Sequence, residues 1–150
     1  MTARAGDHDA SLIYIVGRVN QGIRREMRTR LAKWELSVQE YTTLSVLKSR
    51  PGLSNAQLAR RALVAPQSMI EILTKLERRG LVRRETDPAH GLILRAMLTP
   101  EGRRVLRAAD PAIQAIQTRM LASVPERDRK AAIRAMRTAM GNLSDGGGAP

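Results

Sequence analysis

The stretch LSNAQLARRALVAPQSMIEILTKLERRGLVRR, residues 53–84, decides how this chain folds. Ser54 followed by Gln57 is a capping box, in which side chains and backbone at a helix start satisfy each other's donors, so a short helix runs 55–62. Leu63, Val64 and Ala65 make a turn. Pro66 then suits the first position of the next helix, where its missing N–H needs no partner, and Gly80 stops that helix at about Arg79. Two helices joined by so short a turn form a helix-turn-helix. Ala65 is a poor capping residue, so the second helix starts with a spare donor that a phosphate oxygen could fill.

That second helix splits into two faces. Met69, Ile72, Leu73 and Leu76 recur at the spacing of one helical stripe and form the core side. Gln67, Ile70, Glu71 and Thr74 repeat the same spacing opposite, with Ser68 between the faces at the helix start. A buried helix would not carry Gln, Glu and Thr on one stripe, and a merely solvated one has no need of Ile70. A helix lying in the major groove of duplex DNA accounts for both. Gln67 can read adenine bidentately, Ser68 can bond a base or a phosphate, and Ile70 can meet a thymine methyl. Glu71 either accepts from a cytosine amino group or holds a neighbouring arginine. Gln67, Ser68, Ile70, Glu71 and Thr74 are therefore the candidate base-reading residues, against the alternative of an ordinary surface face.

Downstream, Leu81–Glu85 and Leu92–Leu98 read as two strands joined by a turn-rich loop, Thr86–Gly91. A helix-turn-helix followed by a hairpin is a winged helix-turn-helix. Arg78, Arg79, Arg83 and Arg84 flank the end of the reading helix and the start of the wing. With Ser54, Lys75, His90 and Arg95 they are the candidate contacts to the DNA backbone, which fix register without reading sequence. The alternative is a basic solvated edge. His90 reads as an exposed turn residue or, alternatively, a pH-sensitive wing tip.

The flanks are helical. Leu12, Val16, Val19, Ile23, Met27 and Leu31 form one stripe of a helix from about Asp9. Ser37 with Glu40 is a second capping box, opening a helix that Pro51-Gly52 ends. Thr99-Pro100 starts another helix, whose apolar line runs through Val105, Ala109, Ile113, Ile116 and Met120, with a kink or restart expected at Asp110-Pro111. A last helix, announced at Ser123, carries a heptad-like seam of Ile133, Met136, Met140 and Leu143. So small a domain cannot cover the seams at both ends, which predicts dimerisation through Leu12, Val16, Val19, Ile113, Ile116, Met120, Ile133, Met136, Met140 and Leu143. The expected organisation is a disordered 1–8, a dimerisation helix over 9–36, a winged helix-turn-helix over 37–99, C-terminal dimerisation helices over 100–143 and a disordered Gly-rich tail, 144–150. The fold class is mainly α with a small β-hairpin wing.

Composition narrows the partner. The 150 residues carry 26 Lys+Arg against 14 Asp+Glu, a formal net charge of +12, which calls for a polyanion. The excess is spread along the chain, with 7 basic and 4 acidic residues in 1–35, 10 and 5 in 36–98, and 9 and 5 in 99–150, so it is not a basic arm. With one Trp, two Tyr and no Phe, the chain lacks the rings that stack single-stranded bases. The absence of Cys excludes disulfides, thiol redox switches and thiolate zinc sites. His8 and His90 lie far apart, so no metal site or cofactor is expected. No candidate nucleophile–base–orienter set points to an enzyme. No run approaches a spanning helix, and acidic residues stand where a secretory signal would be apolar, so a cytoplasmic protein with no membrane partner is expected.

Three runs together carry a resemblance: Leu53 to Met69, Leu76 to Arg84 and Leu98-Thr-Pro-Glu-Gly102. In this order and spacing, over about residues 9–143, the chain resembles the MarR (multiple antibiotic resistance regulator) family. The resemblance implies a homodimeric winged-helix transcription factor, usually a repressor, on a pseudo-palindromic operator. It also implies release by a small, often aromatic, anionic effector bound between dimer body and reading head. For such a pocket Tyr14, Trp34 and Tyr41 are the candidates, each of them alternatively plain core packing. One departure stands out. The family's wing carries an Asp-x-Arg whose Arg enters the minor groove, and the matching residues here are His90, Gly91 and Leu92. Wing contacts are then expected to weaken or to pass to Arg83, Arg84 or Arg95, and Leu92→Arg to tighten binding. Two rivals remain: an architectural protein binding duplex DNA without sequence preference, and an RNA- or ribosome-associated basic protein, which the narrow A-form major groove disfavours.

Overall fold

The computed structural model describes residues 11–145. The expected disorder at 1–8 lies outside them, as do residues 146–150. The chain forms two compact units, divided between Ile116 and Gln117.

In the first unit, α1 (Leu12–Leu31) is followed by a single 3-10 turn and then α2 (Val38–Ser49). Ser37 and Glu40 form the expected capping box at the start of α2. A two-residue strand, β1 (Leu53–Ser54), leads into α3 (Asn55–Ala62), which opens on the Ser54–Gln57 box. Then come α4 (Pro66–Arg78), β2 (Val82–Asp87) and β3 (His90–Leu98). Pro66 occupies the first turn of α4, Ala65 supplies no side-chain cap, and Gly80 takes a positive φ of 69° just past the helix end.

The hairpin differs from expectation in a physical way. The strands pair through Asp87↔His90, so the loop tightens to Pro88-Ala89 instead of spanning Thr86–Gly91. The Asp87 carboxylate accepts the Ala89 N–H at 2.9 Å, the side-chain bond that closes such a turn. β3 is central in the sheet order β1–β3–β2, and β1, which gave no signal of its own, pairs Leu53↔Ala96 and Ser54↔Arg95.

α5 (Pro100–Met120) is one continuous helix across Pro111, so the chain does not restart there. Its first turns complete the base of the wing. The Thr99 hydroxyl donates to the Gly80 carbonyl at 2.6 Å and accepts the Gly102 N–H at 3.0 Å. Gly102 sits directly on the Leu81 backbone, where any Cβ would collide with the carbonyl. One core cluster gathers Leu31, Leu44 and Leu47, Leu58, Met69, Leu73 and Leu76, Val82 and Leu98, and Leu106.

The second unit holds the end of α5 and α6 (Glu126–Asp145), which includes Ser144 and Asp145, two residues expected in a disordered tail. Arg129 closes the intervening turn by donating to the Val124 and Leu121 carbonyls at 2.7 and 2.8 Å.

Candidate nucleic-acid interface

α4 is held by its core face and leaves the other face open. Met69, Ile72, Leu73 and Leu76 are buried, whereas Gln67, Ile70 and Glu71 are exposed and Ser68 and Thr74 are half-buried. The Thr74 hydroxyl donates to the Ile70 carbonyl at 2.8 Å, which occupies its proton and leaves its lone pairs outward. α3 is tied to the start of α4 through Asn55, whose Nδ2 donates to the Pro66 carbonyl at 3.1 Å. The two helices of the motif are therefore locked where the second one begins.

Lys75 of α4 and Arg79, which caps its C-terminal end, anchor it to the start of α2 and the turn before it. Lys75 Nζ lies 2.8 Å from Oε1 of Glu40, which is only 2% exposed. Arg79 donates to the Glu35 and Trp34 carbonyls at 2.7 and 2.9 Å. Burial alone would raise the Glu40 pKa. Lys75, the Ser37 N–H and the more distant Arg79 charge outweigh it and hold the carboxyl below the ordinary value.

The wing arginines are likewise engaged within the chain. Arg83 pairs with Glu85, and Arg84 pairs with Glu77 of α4, which lowers the Glu77 pKa. Arg95 donates to Asp87 at 2.7 Å and to the Gly52 carbonyl at 2.9 Å. The Ala89 N–H, and after it Arg95, keep the Asp87 carboxyl below its ordinary pKa. Lys75, Arg79, Arg83, Arg84 and Arg95, candidates from sequence for phosphate contact, thus each make a bond within the chain, at the reading helix or the wing. Of that group Arg78 makes no ion pair and is exposed, His90 is exposed at the wing tip, and the Ser54 hydroxyl accepts the Gln57 N–H at 3.3 Å.

Sequence reasoning passed over Arg60 and Arg61, both exposed at the end of α3 and without an ion pair. Their signal was position: the first helix of such a motif crosses the DNA backbone.

Each ring of the aromatic trio has its own partner. Tyr41 is buried and donates to Asp110 Oδ1 at 2.9 Å, while Lys48 holds Oδ2 at 2.8 Å. Burial first, then the Asp110 carboxylate, pushes the Tyr41 pKa up to about 12. Tyr41 borders a cleft of about 550 Å³ together with Ser45, Arg50 and Arg61. Trp34 packs on the core with Lys33 over its ring, and Tyr14 accepts a bond from Arg18 on exposed α1.

The proposed dimer seam divides. Leu12, Val16, Val19, Met120, Ile133, Met140 and Leu143 are exposed and Met136 is half-buried. Ile113 and Ile116 instead turn inward, Ile113 against the core cluster of its own unit and Ile116 to 8% exposure, a correction to their place on a partner-facing line.

A capped first helix, a short turn, an outward-faced second helix and a hairpin define a winged helix-turn-helix, the class of DNA-binding transcriptional regulators. Among known proteins, the MarR family model matches residues 34–91. The HTH-type transcriptional repressor Rv2887 of Mycobacterium tuberculosis is 40% identical over 114 residues, covering 76% of this chain and 82% of the relative. The structure of that MarR family protein with p-aminosalicylic acid superposes with a TM-score of 0.70 at 34% identity, over 87% of this chain and 98% of the other. A MarR family regulator from Silicibacter pomeroyi superposes with a TM-score of 0.82 at 26% identity, over 90% and 91% of the two chains. The chain belongs to the MarR family. No helix among the described residues is long and apolar enough to cross a membrane, and no cluster there of His, Cys, Asp or Glu could hold a metal ion.

Proposed function

We propose that this chain is a transcriptional repressor that binds a pseudo-palindromic duplex operator as a homodimer and is released by a small aromatic or anionic effector. It carries no catalytic role in this reading and acts in the cytoplasm. The observation that carries the proposal is the outward face of α4, where Gln67, Ile70 and Glu71 stand exposed on a helix whose other face is buried. In the major groove Gln67 would read adenine and Ile70 a thymine methyl. The unpaired Arg60, Arg61 and Arg78 would meet phosphates on either side. The exposed apolar residues of α1 and α6 support a second copy, since each stripe would otherwise stay in water. The relative Rv2887 is a repressor whose structure holds p-aminosalicylic acid. In this chain the cleft beside Tyr41, with Arg50 and Arg61, has the volume and charge for an aromatic carboxylate.

The evenly spread charge favours one rival, an architectural duplex binder. Selection from random duplexes separates the two. The repressor reading expects an enriched inverted repeat with half-sites about one helical turn apart, bound by two copies in sedimentation. A pool that emerges without any repeat refutes it and leaves the architectural reading.

A further inference from the structure

The wing tip does not fit a surface that meets DNA by charge. Along β3, Ala96 and Leu98 lie in the core at 1% and 2% exposure. Leu94 continues that face at 47% exposure, and beyond it the ladder shifts register between Thr86 and Asp87, leaving Leu92 in the irregular stretch at 101% exposure. Together with Ile70 of α4, Leu92 and Leu94 border a groove of about 500 Å³. The three wing arginines are spoken for: Arg83 by Glu85, Arg84 by Glu77, Arg95 by Asp87 and the Gly52 carbonyl. Recruiting Arg84 or Arg95 to a phosphate would leave a carboxylate unpaired beside a polyanion. What the tip offers is therefore a leucine that gains by leaving water. Ile70 belongs both to this groove and to the base-reading face, so the apolar surface is continuous with the DNA interface proposed above.

A hairpin standing beside a helix in the major groove meets the adjoining minor groove. Side chains such as Leu and Ile enter that groove as wedges, part-unstacking a base step and bending the duplex. We propose that Leu92, backed by Leu94, is such an apolar wedge, seated in the minor groove next to the half-site that α4 reads. The proposal rests on the duplex-binding reading. It makes the wing a reader of deformability: pyrimidine–purine steps, which unstack most easily, are favoured where the tip lands.

The test uses the full chain on the selected operator, with affinity followed across salt concentrations and bend followed by end-to-end energy transfer. Leu92 is fully exposed, so Leu92→Ser keeps the fold, which far-UV circular dichroism checks. Leu92→Ser should weaken binding by about tenfold to a hundredfold, the range that burial of one leucine corresponds to. It should also reduce the bend while leaving the salt slope unchanged. Leu92→Arg should steepen the slope by about one phosphate equivalent without restoring the wild-type bend. Operator binding by Leu92→Ser within about twofold of wild type, or an unchanged bend, overturns the wedge. So does a shift in self-association without loss of DNA binding, which would make the tip a contact between copies. Failure of the wild-type chain to select any duplex is a separate outcome that removes the duplex reading itself.

Discussion

Glu40 ties the start of α2 to the reading helix. Its Oε2 accepts the Ser37 N–H at 2.7 Å, completing the cap of α2, and its Oε1 holds Lys75 of α4 at 2.8 Å. Glu40→Ala removes half of a capping box, worth about 1 kcal/mol. It also leaves a small cavity at a site only 2% exposed, worth about another 1 kcal/mol. The pair with Lys75 adds less than about 1 kcal/mol, because the Lys75 side chain is 62% exposed and becomes no buried orphan when its partner goes. The expected loss is about 2–3 kcal/mol. Glu40→Gln keeps an acceptor for the Ser37 N–H, fills the site and loses only the charge, so about 1 kcal/mol is expected. Urea denaturation at fixed protomer concentration measures both, with Glu40→Ala moving the midpoint by about 1 M. The folded Glu40 pKa lies below the ordinary 4.5, so its ionised form contributes stability that is present above that value and lost as pH falls through the folded pKa. The gap between wild type and Glu40→Gln should therefore close on acidification. Equal losses for Ala and Gln, or a gap that persists in acid, would refute this account of the anchor.

Three further outcomes follow from single residues. Gly102→Ala places a Cβ against the Leu81 carbonyl and should cost about 2 kcal/mol or more, read as a lowered urea midpoint. Tyr41 has a folded pKa raised to about 12, so its neutral form contributes stability that is complete below its ordinary 10 and lost as pH rises toward 12. Alkaline unfolding curves of Tyr41→Phe should lack that loss. Leu63 adopts a left-handed φ of 58° at the end of α3 and is 90% exposed, so Leu63→Gly should raise stability by about 0.5–1 kcal/mol in the same denaturation assay.

Much of this structure could be read from the chain because its punctuation is local. The Ser37–Glu40 and Ser54–Gln57 boxes, Pro66 and Gly80 each act within three or four residues, and each stands where it was expected. The misses depend on partners far away in sequence. β1 is two residues long and exists because β3 presents Ala96 and Arg95 to it. Pro111 does not restart α5 because the residue before it, Asp110, is pinned by Tyr41 and Lys48, while Ala109 and Ile113 pack into the core on either side. The same holds for charge. An arginine run looks like a phosphate clamp in sequence, yet Arg79 reaches carbonyls 44 and 45 positions back and Arg95 reaches Gly52. Only the fold decides which cations are already engaged.

The most direct test of the central claim, that the outward face of α4 reads duplex sequence, is competitive fluorescence anisotropy of the full chain on its selected operator against random duplex. Wild type should prefer the operator by about a thousandfold or more at physiological salt. Gln67→Ala should lose about tenfold of that preference, with its binding to random duplex and its salt slope unchanged. Equal affinity of wild type for operator and random duplex, or an operator preference untouched by Gln67→Ala, would contradict the claim.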